Sequence, residues 1–170
     1  MFRKRSVRVT TELLDEVLKD VKERFYASDA PAYHKNLLKK ITPVFHIVNR
    51  RKWDTVAQAW AVSKYVRKDD AKKALKLRQS THPMVYVDGD QYFMVIQFNR
   101  KASYLWTRRG VRHVIAHELA HLLQIAIDKD VDGKTSLSNE ATDHDEHWKR
   151  WAKQMGGTGK EIIMPAEMWC

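Results

Sequence analysis

A chain of 170 residues has the length of one compact domain, and at 44% hydrophobic and 31% charged residues it has the balance of a soluble globular protein. No uncharged run approaches the roughly 18 residues of a membrane helix, and no apolar stretch follows the basic start Arg3-Lys4-Arg5. The one cysteine, Cys170, excludes an internal disulfide and a cysteine-based zinc ribbon. The expectation is one domain over 1–170, intracellular and monomeric, neither secreted nor membrane-bound.

The net charge of +10 is unevenly spread. Residues 1–112 hold 25 basic and 11 acidic side chains, a net of +14, and residues 113–170 hold 6 and 10, a net of −4. Such asymmetry points to a basic part suited to a polyanion and a more acidic part with another task.

In chain order, Thr10 or Thr11 caps a helix with Glu12 and Asp15 in its first turn and Leu13, Leu14, Val17, Leu18, Val21 and Phe25 at helical spacing. Pro31 opens a shorter helix with Tyr33, Leu37, Leu38 and Ile41 inward, which Pro43 ends. The run 44–48 is too short to assign by periodicity. Asp54 to Arg78 reads as helix, with Val56, Ala59, Trp60 and Tyr65 apolar, and His82-Pro83 stops it. Two strands follow, 84–87 and 92–98, joined by a turn at Asp88-Gly89 as in a hairpin. Gly110 precedes a helix over about 111–127 with Val114, Ile115, Leu119, Leu122 and Ile125 on its apolar face. An acidic loop covers about 128–142, a last helix runs over about 143–155 and stops at Gly156-Gly157, and an irregular tail occupies 158–170. The expected fold is α+β, with a basic helical part over about 1–80 and a hairpin plus two metal-site helices over about 84–157.

The most informative stretch is His117-Glu118-Leu119-Ala120-His121. Residues four apart share a helix face, so both imidazoles can reach one zinc ion, and Glu118 can take the proton of a water there. A catalytic zinc needs a third protein ligand. His113 is too far along the helix, since His113 and His121 lie about 12 Å apart on the axis. Three downstream candidates are His144, His147 and Glu140. Glu140 follows His121 after 18 intervening residues, a spacing like that of the glutamate-ligand zinc peptidases of the thermolysin kind. The loop Asp128-x-Asp130-x-Asp132-Gly133 opens like a calcium loop but has Asn139 where the bidentate glutamate belongs, so a solvated turn is the better reading.

His117-Glu118-x-x-His121, then His144-x-x-x-Trp148 and Met155-Gly156, resembles the SprT-like (Spartan-type) zinc metalloproteases over roughly residues 84–157. The resemblance implies a zincin-like fold. It implies His117, His121 and His144 as ligands of one catalytic Zn2+, with Glu118 as general base in hydrolysis of peptide bonds. It also implies protein substrates associated with DNA. Asp145 stands where the family usually has glycine. Lys64, Lys68, Lys72 and Lys76 recur every four residues with Arg67, Lys73 and Arg78 beside them, a cationic stripe able to follow a phosphate backbone without reading sequence. Arg50-Arg51-Lys52 and Arg108-Arg109 add to the excess. Trp60, Tyr65 and Trp106 are able to stack on bases but are assigned to the core. The oxyanion donor is left between His147 and Tyr104.

Two other readings remain from the residues alone. One is a glutamate-ligand peptidase using Glu140, of the kind that cleaves repressors. The other is a DNA-binding module with a structural zinc.

Overall fold

The computed structural model describes residues 7–48, 57–60, 85–88, 91–99, 107–132 and 144–160. Helix α1 spans Thr11–Ala27. Its N-cap is Thr10, whose Oγ1 accepts from the Leu13 N–H at 3.2 Å, satisfying one of the donors that a helix start leaves unpaired. Leu14, Val17, Val21 and Phe25 form its buried stripe. Helix α2 spans Ala32–Lys40 and buries Leu37 and Leu38. Tyr33 is not inward as expected but 48% exposed.

Strands β1 (Ile41–Val48), β2 (Ala57–Trp60), β3 (Val85–Asp88) and β4 (Gln91–Asn99) form one mixed sheet. β4 is central. β1 runs parallel to it along its whole length, from Ile41 opposite Tyr92 to Val48 opposite Asn99. On the other side β2 and β3 share β4 end to end, both antiparallel. β2 faces residues 95–98, and β3 faces residues 91–94. The sheet is therefore four-stranded and mixed, wider than the small antiparallel one expected.

Two assignments change with it. Pro43 does not end a helix in place; α2 stops at Lys40 and Pro43 lies within β1, whose pairing among the described residues is on one side only. An edge is where a residue without an N–H donor is tolerated in a sheet. Residues 57–60 are strand, not helix, because pairing with β4 satisfies their backbone where local periodicity favoured a helix. The rest of the 54–78 segment lies outside the described residues.

Helix α3 spans Arg108–Asp132, about 37 Å at ~1.5 Å per residue. It starts earlier and ends later than expected. Thr107 caps it, its Oγ1 accepting from the Gly110 N–H at 3.0 Å, so Gly110 lies inside the first turn. Nearly every described side chain from Gly110 to Leu123 is buried, so this is not a one-faced helix. It touches α1, α2, the last helix and strands β1, β2 and β4, so its buried surface takes in His113, His117, Glu118 and Gln124 as well as the apolar side chains. Asp128, Asp130 and Asp132 belong to α3, so neither a calcium loop nor a solvated turn begins at Asp128.

Helix α4 spans Glu146–Gln154 and buries Trp148, Trp151 and Ala152. It ends in a Schellman turn. Gly156 N–H donates to Lys153 O at 3.0 Å and Gly157 N–H to Ala152 O at 2.8 Å, with Gly156 at φ +90°. A Cβ on Gly156 would lie 2.8 Å from Arg24 Cδ, and one on Gly157 would lie 3.1 Å from Ala116 Cβ, beside His117. These glycines let α4 turn away while lying close against α1 and α3. Gly156→Ala should therefore lower unfolding stability by roughly 1–3 kcal/mol, the cost of left-handed backbone for a side-chain-bearing residue. Urea denaturation checks it, and a variant as stable as the parent would remove the turn from this account.

Exposed ion pairs, Arg108–Glu16 (2.8 Å) between α3 and α1 and Arg24–Asp20 (3.1 Å) within α1, contribute little. Among the described residues no helix is long and apolar enough to cross a membrane.

Candidate metal centre

Helix α3 carries His117 and His121 one turn apart, with ring centroids 5.0 Å from each other. The third imidazole arrives from a different element. His144 stands directly before Asp145, the N-cap of α4. Asp145 Oδ1 accepts from the Trp148 N–H at 2.7 Å, so the cap determines where α4 starts and with it where His144 stands. Among the described residues, these three histidines are the group able to hold a metal ion, each offering a ligand atom within 4.8 Å of the others.

The donor chemistry fits a metal. His144 Nε2 lies 3.2 Å from His121 Nε2 and 3.2 Å from His117 Nε2. Nitrogens held tetrahedrally around one zinc at its usual bond length stand about 3.3 Å apart. A neutral Nε2 has one proton or one lone pair, so His144 can satisfy one neighbour by a hydrogen bond and not both. A cation accepting all three lone pairs removes that conflict.

Trp148 packs the site from below and is 0% exposed. Its ring centroid lies 4.6 Å from His117, 5.3 Å from His121 and 4.4 Å from His144. Its Nε1–H donates to His117 O at 3.1 Å, tying α4 to α3 at the first ligand. His121 Nδ1 is paired with Gln124 Oε1 at 3.0 Å, and Gln124 Nε2 approaches Asp145 Oδ1 at 3.4 Å. His117 Nδ1 has no hydrogen-bond partner among the described residues. Glu118 is 4% exposed and follows His117 directly.

Both helix ligands are held neutral. Burial, then the neighbouring His121, His144 and His113, push His117 down to about 2. Burial is also the largest cause for His121, pushed down to about 4, with His144 acting the same way and the Gln124 hydrogen bond and Asp145 opposing. Protons therefore favour the unfolded chain, where both groups titrate near 6.5. The metal-free chain should keep full stability from this source above pH 6.5. It should lose stability progressively as pH falls below 6.5, because protonation of these two mutually repelling groups is more favourable in the unfolded chain. Urea midpoints between pH 7.5 and 4.5 read the slope; a midpoint that rises on acidification would contradict it.

The remaining sequence candidates fall elsewhere. His113 is buried, and its Nδ1 accepts from the Thr158 N–H at 3.2 Å, which makes it a satisfied core histidine where the chain returns after Gly157. His147 is exposed on α4, its ring 5.9 Å from that of Trp151, and is not in the three-histidine group. Glu140, Tyr104, Tyr65, Trp106, Arg50-Arg51-Lys52 and the stripe of Lys64, Arg67, Lys68, Lys72, Lys73 and Lys76 lie outside the described residues. Arg108 and Arg109 are exposed on the first turn of α3. Sequence reasoning did not name Gln124 or Asp145 as site residues. The signals were there: Gln124 is three residues on from His121 on the same helix, and Asp145 precedes Trp148 by the three residues of an N-cap.

Comparison with protein-family models, with curated proteins and with solved structures finds no match to this chain.

Proposed function

We propose that the chain is a zinc-dependent endopeptidase with a zincin-like architecture, SprT-like in kind, which cuts proteins associated with DNA. The observation that supports it is the convergence of three imidazole Nε2 atoms, 3.2 Å apart in two pairs, beside the buried Glu118. Three protein ligands leave a tetrahedral zinc one open position, as a reacting centre requires, whereas a structural site is closed by four. Among the described residues the group stops at three.

Zinc bound here would supply a Lewis acid that acidifies water and polarises a peptide carbonyl. His117, His121 and His144 would hold it. Glu118 accepts the proton of the attacking water and returns it to the leaving amine, acting as base and then acid. Trp148 and the α4 cap keep the third ligand in register with the other two. Recruitment rests on the +14 charge of residues 1–112, which favours a phosphate backbone without sequence preference. A monomeric, intracellular protein is the corresponding setting.

The test is cleavage of a basic DNA-binding protein, with and without single-stranded DNA and a chelator. Cleavage should require the metal, rise with DNA and weaken as salt is raised. Cleavage indifferent to both DNA and salt would leave a plain protease. Metal analysis addresses the ligand set: His144→Ala should lose most of its zinc and Glu140→Ala hardly any. Loss only in Glu140→Ala would transfer the protein to the glutamate-ligand class, and equal loss in both would indicate a closed structural site.

A further inference from the structure

We propose that Gln124 and Asp145 form a hydrogen-bonded strap that orients the His121 ring and joins it to the element carrying His144, and so sets how tightly the centre holds zinc. The inference rests on the metal reading above. A neutral imidazole has one N–H and one lone pair, and the partner of one nitrogen decides which the other keeps. His121 Nδ1 lies 3.0 Å from Gln124 Oε1. An amide oxygen accepts only, so this contact places the proton on Nδ1 and leaves the Nε2 lone pair facing the centre.

The amide's own orientation is set in turn. Gln124 Nε2 faces Asp145 Oδ1 at 3.4 Å, a long and weak hydrogen bond whose main effect is a choice of sense. A flipped amide would put its carbonyl oxygen against a carboxylate and its NH2 against the His121 N–H. The same Asp145 oxygen accepts from the Trp148 N–H at 2.7 Å, starting the helix that His144 precedes. One carboxylate oxygen thus serves the third ligand through the cap and the second ligand through Gln124. Gln124 is 7% exposed, so water competes little for its bond to His121, whereas Asp145 is exposed and its end of the strap meets solvent. Both are positioning residues, neither being one of the three ligands.

The test is zinc affinity of the full chain, measured by competition with a chromogenic chelator, with the visible spectrum of the cobalt(II)-substituted protein as a second readout. Gln124→Leu removes both contacts at similar volume. It should weaken zinc binding by roughly 10- to 100-fold, the usual effect of losing a partner behind a ligand, and alter the cobalt spectrum. The metal-free Leu variant should unfold no more easily than the parent, which separates positioning from general stability. Asp145→Asn keeps at that position an oxygen that accepts from both the Trp148 N–H and the Gln124 amide, and should hold zinc to within a few-fold of the parent.

Parent-like zinc affinity and cobalt spectrum in Gln124→Leu would overturn the strap and leave the centre standing. An Asp145→Asn variant as weak as Gln124→Leu would do the same. Should Gln124→Leu fail to fold, Gln124→Met must bind zinc more weakly than Asp145→Asn, and equality overturns the proposal. A parent chain that binds no zinc overturns the metal reading itself.

Discussion

Glu118→Gln should retain zinc and lose peptide cleavage by about 10²–10⁴-fold, the range that general acid–base catalysis contributes. The substitution changes little in size. It replaces a carboxylate, which can take a proton and return it, with an amide that can do neither. Glu118 is not among the three histidines that converge, so zinc content should stay near that of the parent. The paired measurement is metal analysis and the rate of cleavage of a basic DNA-binding protein. A parent-like rate would remove Glu118 from the reaction, and loss of zinc together with the rate would make it a structural residue of the centre.

Trp148→Ala should cost about 3–5 kcal/mol of unfolding stability, the range for deleting a large buried aromatic. Against a total of about 5–15 kcal/mol for a domain, this is a large fraction. The ring is fully buried, its N–H bonds the His117 carbonyl, and its face or edge meets all three imidazoles. Zinc affinity should therefore fall with stability. Trp148→Phe keeps much of the packing and loses the N–H donor, so a smaller loss in both is expected. Urea unfolding of the metal-free chain and chelator competition measure the two effects. A Trp148→Ala variant as stable as the parent would mean that α4 is held to α3 by other contacts.

Much of the centre was legible because its logic is local. Spacing of four on a helix brings His117 and His121 together whatever surrounds them, and α3 does so at a ring separation of 5.0 Å. The Thr10 cap and the buried stripe of α1 were equally readable, since each depends on residues within one or two turns. His144 was harder. Its resemblance to a family register named it, but spacing alone left Glu140 and His147 beside it. The structure brings His144 to the other two through the local Asp145 cap and the Trp148 anchor, whose bond to His117 spans 31 positions of chain.

The sheet shows where local reading stops. Ala57–Trp60 reads as the opening of a helix, yet it pairs with one end of β4 while β3 pairs with the other. Pro43 is a helix terminator by local rules, yet it sits in β1, parallel to β4 and paired on one side only among the described residues. Backbone donors and acceptors must be satisfied somewhere, and a distant strand can satisfy them better than the neighbouring turn. Charge asymmetry, the paired histidines with Glu118 between them, the Thr10 cap and the glycine stop at Gly156-Gly157 were determined by sequence alone. Tertiary structure decided strand pairing, the burial of nearly every side chain between positions 110 and 123 of α3, and the meeting of His144 with His117 and His121. These are matters of long-range contact, and residue order constrains them only through the fold that brings the contacts together.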